Sequence, residues 1–251
     1  EMLRSLVGSE MCIRDSRARA LALPSEKTLA ERMQAVDPPA LAVARDFLRA
    51  ELGRQLAAEF RQAFEQNQTP GEYSPAPVPA GMRALKNLAL SHLLAAGEHD
   101  AQRLAEQQYE RAGNMTDSMA ALSALINYGQ GDFPQEALAA FYDKWRDNPL
   151  VVDKWFALQA AARSTTVQTA RELMTHPAFT LRTPNRARAL IFQFCLNNAR
   201  GMHHPDGTGY AFWAEQVLAL DALNPEIAAR LARALDNLSL IHISEPTRLL
   251  S

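Results

Sequence analysis

The chain has 251 residues with 26 Lys plus Arg against 28 Asp plus Glu, a formal net charge of -2. That balance gives no electrostatic pull toward nucleic acid, and apolar runs such as Met119–Ile126 are too short to span a bilayer. Aromatic residues make up 7% and Ala and Leu outnumber the β-branched residues, which excludes a mainly β fold.

The two ends read differently from the middle. Leu6–Ser16 (LVGSEMCIRDS) and Leu238–Arg248 (LSLIHISEPTR) back-translate to opposite strands of one DNA segment, which resembles the end adapter of transposon-based sequencing libraries. Residues 1–16 and 238–251 are therefore expected to be non-native, with the natural domain over 17–237. Setting the ends aside removes Cys12 and His242 and leaves Cys195 alone, so no intrachain disulfide is expected. Cys195 lies in an apolar stretch with no activating partner nearby and is expected in the core. A cytoplasmic location is expected.

In chain order the pattern is helix after helix. Ser25 caps a segment running to Val36, and Asp37-Pro38 opens an amphipathic stretch to about Asn67. There Leu41, Ala44, Leu48, Leu52, Leu56, Phe60 and Phe64 fall at spacings of three and four. Four prolines among Gly, Ser and Tyr make Thr69–Ala80 a loop or linker. Helical pattern resumes over Gly81–Ala96, breaks at Gly97, and continues through Glu98–Arg111, Thr116–Tyr128 and Pro134–Arg146. Asn148-Pro149, Thr183-Pro184 and Asn224-Pro225 each start a further helix, with Val167–Thr175 and Gly209–Leu220 between them. Short helices with short connectors must stack to hide their apolar faces. The expected fold is all-α, an irregular α-solenoid, a superhelix of antiparallel helix pairs without a fixed repeat period.

Candidate chemistry is sparse. None of His92, His99, His176, His203 and His204 is followed by Glu or has a second His four residues on, so no helix-borne zinc pair is present. His203-His204 beside Asp206 could touch a metal or serve an independent hydrolase, although loop histidines are more often simply solvated. Asp143-Lys144-Trp145 recurs as Asp153-Lys154-Trp155 around the Asn148-Pro149 helix start. The pair reads as a packed corner with its Asp and Lys solvated or paired locally; the functional alternative is a substrate-stacking Trp pair.

Phe141–Ala160 (FYDKWRDNPLVVDKWFALQA) resembles the C-terminal helical domain of the bacterial aminopeptidase N family. So do Leu23–Glu26 (LPSE), Asn114–Asp117 (NMTD), Thr183–Arg188 (TPNRAR), Asp206–Tyr210 (DGTGY) and Asn224–Leu231 (NPEIAARL), in the family's order. The resemblance implies a zinc metallopeptidase that removes N-terminal residues from short peptides, in which the C-terminal helices form a bowl over the catalytic domain. That domain's HExxH and GAMEN motifs are absent here, so no catalytic or metal residue carries over. The chain alone is expected to be inactive and to bind no cofactor, with zinc held by the missing catalytic domain. The implied partners are that domain and short peptides, not nucleic acid or membrane. By resemblance Arg188 and Arg230 face the substrate channel, where a guanidinium can hold a peptide carboxylate or carbonyl. Their alternative is a solvated helix face. Glu226 stands where the family often has Gln, and its carboxylate would repel an acidic substrate end. The family's domain continues with further helices past Asn237, so the chain is expected to be a fragment. A freestanding helical scaffold that binds peptide segments in its concave face is the alternative.

Overall fold

The computed structural model describes residues 22–236, and the adapter-like segments 1–16 and 238–251 lie outside them. The described residues are helical with no β-strand. The helices are α1 (Glu26–Ala30), α2 (Pro38–Gln55), α3 (Ala57–Gln66), α4 (Pro77–Ala96), α5 (Ala101–Arg111), α6 (Met115–Tyr128) and α7 (Phe133–Trp145). They continue as α8 (Pro149–Ala160), α9 (Val167–Met174) and α10 (Pro184–Ala187), which passes through a π-helical stretch (Arg188–Phe192) into α11 (Gln193–Asn197). The last are α12 (Ala199–Met202), α13 (Thr208–Asp221) and α14 (Pro225–Ala232), closed by a 3-10 turn at Arg233–Leu235.

Local chemistry explains most boundaries. Asn114, Asn148, Thr166 and Asn224 each cap a helix by accepting from the backbone N–H three residues on. Asp37 does the same through its Oδ1, 2.9 Å from the Ala40 N–H. Gly97 ends α4 in the left-handed region (φ 70°), and the N–H groups of Gly97 and Glu98 reach back to Leu94 and Leu93. That paired closure suits a residue without a Cβ.

The structure departs from the expected elements in several places. The segment capped by Ser25 stays helical only to Ala30. The stretch to Asn67 is two helices, parted at Leu56 (φ -114°, ψ 29°). Its apolar face is buried at Phe60 and Phe64 and partly at Leu52 and Leu56, whereas Leu48 is 46% exposed. Helix α4 begins at Pro77, inside the Pro-rich stretch, because proline is tolerated in a first turn where the N–H groups have no helical partner.

The chain divides into two compact units, one holding Arg45–Phe141 and the other Pro24–Ala44 with Tyr142 onward. In the first, α4 packs against α3, α5 and α6, and α5 against α6. Their core is Phe60, Phe64, Leu90, Leu93, Leu94 and Leu125 with small Ala89, Ala101, Ala105 and Ala124 between them. Each large side chain buried there stabilises the fold by roughly 1.5–3 kcal/mol. Gly53 is obligatory at the approach of α2 to α4: a Cβ would collide with the carbonyl of His92. In the second unit α8 packs on the π-helical stretch and α11, α9 on α13, and α13 on α14. Phe156, Leu190, Ile191, Phe194, Phe212 and Leu231 fill that core. Packing between helices close in sequence is the pattern of an α-solenoid.

Candidate functional site

The segment carrying Arg188 starts without a side-chain cap, since Thr183 makes none. It is pinned from the inside by Arg186, whose Nε donates to Asp153 Oδ1 at 2.5 Å with the two side chains 8% and 16% exposed. Arg186 also donates to the carbonyls of Ala178 and Pro149, and its guanidinium lies 5.0 Å from the Phe156 ring centre. These contacts satisfy several of its five donors and neutralise its charge, as burial requires. Two residues on, Arg188 opens the π-helical stretch half-exposed, with one long hydrogen bond (3.5 Å) to Asn185 Oδ1 and no ion pair among the described residues.

Glu226 and Arg230 lie one turn apart on α14, both exposed, and hold each other at 2.6 Å. The carboxylate at 226 thus neutralises the arginine beside it. No hydrogen bond or ion pair among the described residues joins this pair to Arg188.

The Asp-Lys-Trp echo splits into unlike halves. Asp143 and Lys144 are exposed, and the Lys144 ammonium sits 5.5 Å from the Trp145 ring centre. Asp153 is not paired locally but with Arg186, 33 residues on. Lys154 is exposed, while Trp155 is buried among Tyr142, Phe156 and His176, with ring centres 5.0, 4.9 and 5.1 Å away. Burial lowers the His176 pKa, and the nearby Arg186 charge lowers it further.

The histidines disperse. His203 Nδ1 is 3.0 Å from the Tyr210 hydroxyl, whereas His204 Nδ1 is 3.0 Å from Asp206 Oδ1. Asp206 accepts from the Thr208 hydroxyl and N–H, and these bonds with His204 hold its pKa down to about 2. His204, Asp206 and Thr208 line a cleft of about 570 Å³ with Arg163, Arg171 and Arg200. His92 is buried and stacked on Phe60, 4.6 Å between ring centres; His99 is exposed beside Asp100. Among the described residues no three His, Cys, Asp or Glu side chains converge as metal ligands. Cys195 is a free, buried thiol whose pKa burial pushes up to about 12.

Two ties went unrecognised in the sequence. Arg186 lies inside TPNRAR, and its only signal is a register four residues before the buried Leu190, on an inward face. Lys86 pairs with Asp117 of the NMTD motif at 2.8 Å in the core of the first unit. Asp117 also accepts from Asn87 and Asn114, each at 3.0 Å.

The family model that matches residues 1–243 is described as a domain of unknown function, DUF3458_C, with ARM repeats. Aminopeptidase N of Caulobacter vibrioides is 41% identical over 223 residues, covering 87% of this chain and 25% of that protein. Aminopeptidase N of Escherichia coli K12 is 38% identical over 221 residues, again 87% of this chain and 25% of the relative. The chain thus spans about a quarter of the length of the curated relatives it matches, at their C-terminal end. Among solved structures, Legionella pneumophila aminopeptidase A in complex with aspartic acid superposes with a TM-score of 0.82 at 28% identity. That match covers 95% of this chain and 29% of the other. The chain belongs to the DUF3458_C family of ARM-repeat domains, the all-α module with which aminopeptidase N relatives end.

Proposed function

We propose that the chain is the non-catalytic C-terminal domain of a zinc-dependent aminopeptidase that releases N-terminal residues from short peptides. Its helices cap the active site of the catalytic domain of the same polypeptide and restrict which substrates enter. The observation that carries this reading is the match of 87% of the chain to the C-terminal quarter of aminopeptidase N. In this reading zinc is held by the catalytic domain, and the chain alone is inactive. A cap of this kind excludes folded proteins and keeps water from the reacting groups. The enzyme works in the cytoplasm.

Within this reading Arg188 is the channel residue, since it is held by a pinned helix start and meets no counter-charge among the described residues. Arg230 contributes less, because Glu226 already occupies it at 2.6 Å. The test is the full-length enzyme assayed with a tripeptide and with an aminoacyl amide that lacks a C-terminal carboxylate. Arg188→Ala should raise KM for the tripeptide about tenfold and leave the amide unchanged, the loss of one charge-assisted contact. Equal effects on both substrates, or none, would refute the channel role. Cleavage of folded proteins at the same rate as short peptides would refute the cap.

A further inference from the structure

The first unit holds a cleft of about 500 Å³ whose lining includes Arg83, Lys86, Gln108, Arg111, Phe64 and Leu104. Lys86 is neutralised by Asp117. Arg83 is not neutralised. It is 3% exposed, donates one hydrogen bond, to the Ser74 carbonyl at 2.7 Å, and lies 4.7 Å from the Tyr73 ring centre. No carboxylate pairs with it among the described residues. The unused donors of Arg83 are not closed off from the cleft it lines, and an enclosed guanidinium without a counter-ion favours an anion there.

Arg111 lines the same cleft, exposed and without an ion pair among the described residues. The lining carboxylates are Asp117, already paired with Lys86, and the exposed Glu72. Three cations against two carboxylates leave an excess of one positive charge in the lining, with both arginines free to take oxygens. Phe64 and Leu104 supply an apolar wall. Gln108, which also lines the cleft, has an Oε1 that accepts no hydrogen bond and is closed off from solvent, so a ligand N–H meets it when the side chain turns toward the cleft.

We propose that this cleft is a binding site for an N-acylated amino acid, the chemistry of a peptide's last residue. Its carboxylate takes the donors of Arg83 and Arg111, its side chain packs on Phe64 and Leu104, and its N–H complements Gln108. Planar carboxylates suit paired guanidinium donors. The site stands on the cleft's own chemistry and holds whether or not the domain caps an active site.

The test is isothermal titration of the 251-residue chain at low ionic strength with N-acetylleucine, N-acetylleucinamide and inorganic phosphate. N-acetylleucine should bind saturably with Kd of about 1 mM or tighter, as expected of a small ligand using most of its atoms. The uncharged amide should bind at least about tenfold more weakly. Arg111→Gln, at an exposed position with no partner among the described residues, should weaken N-acetylleucine about tenfold with the circular dichroism spectrum unchanged. Arg83→Lys, which keeps the charge but loses the fork, should weaken it as well. No binding, equal binding of the amide, tighter binding of phosphate, or both variants binding like the wild type would each overturn the assignment.

Discussion

Replacing Lys86 with Met removes the one cation paired with Asp117 among the described residues, and the Asp117 side chain is 6% exposed. At 2.8 Å the attraction is about 6 kcal/mol at an effective dielectric of about 20, before either ion's desolvation is charged against it. Those penalties are several kcal/mol per ion, so the intact pair contributes little relative to an apolar replacement. Breaking it from one side is different. The carboxylate keeps the amides of Asn87 and Asn114 but loses its counter-charge, which costs about 3–5 kcal/mol. The double variant Lys86→Met with Asp117→Leu should recover at least about half of that loss, because no charge remains buried. Native-state hydrogen exchange of α4 and α6 reads the local cost, and urea unfolding followed by circular dichroism reads the total. A single variant that loses less than about 1 kcal/mol would refute the argument, placing the pair among exposed bridges. The pH dependence has a definite sign. Burial raises the affinity of the Asp117 carboxyl for a proton, but hydrogen bonds from Lys86, Asn114 and Asn87 outweigh it and leave the pKa lowered. A folded-state pKa below the unfolded value gives stability that is complete above about pH 4 and is lost as pH falls through the folded pKa. Lys86→Met should shrink that acid-side loss.

Three further outcomes follow from the packing. Gly53→Ala should lower Tm, since overpacking of α2 on α4 costs about 1–3 kcal/mol and outweighs the roughly 1 kcal/mol gain in helix propensity; an unchanged or higher Tm would contradict the close approach. Burial lowers the His92 pKa, so folding is opposed once pH falls below about 6.5, where the unfolded chain takes up the proton first. His92→Phe should therefore flatten the dependence of Tm on pH between 7.5 and 5.5, and an identical slope would show that His92 protonates freely in the fold. With Cys12 replaced by Ser, Cys195 should resist a thiol-disulfide dye at pH 8 and react fully in urea, because burial holds its pKa at about 12; rapid labelling of the folded chain would show otherwise.

What the sequence made legible was what a few neighbouring residues decide. Asn148-Pro149 and Asn224-Pro225 mark helix starts because both the cap and the proline act within one turn. The all-α class and the kinship with aminopeptidase N were legible too, and the family and relatives bear them out. The break at Leu56 was not, since Leu52, Leu56 and Phe60 keep helical spacing across it and the dihedral change leaves no trace in composition. Nor was the π-helical turn at Arg188–Phe192, whose apolar residues read as ordinary helix. In the candidate site, Arg188, Glu226 and Arg230 were reached through family motifs, while their surroundings depend on distant partners. Arg186 meets Asp153 across 33 residues and Lys86 meets Asp117 across 31. Pairing over such distances is set by the packing of whole helices.

The π-helical turn has a consequence for how the domain can change length. A π turn holds about one residue more than the α ladder needs, so it accepts a one-residue deletion by closing to α. The flanking turns then keep their faces: Arg186 still meets Asp153 on one side, and Phe194 and Cys195 stay buried on the other. A deletion elsewhere in the same helix rotates everything beyond it by about 100° and carries that apolar face toward solvent. Between Arg188 and Phe192, losing a codon costs the one side chain it encodes, buried at Ala189, Leu190 or Ile191, and leaves the faces on either side in register.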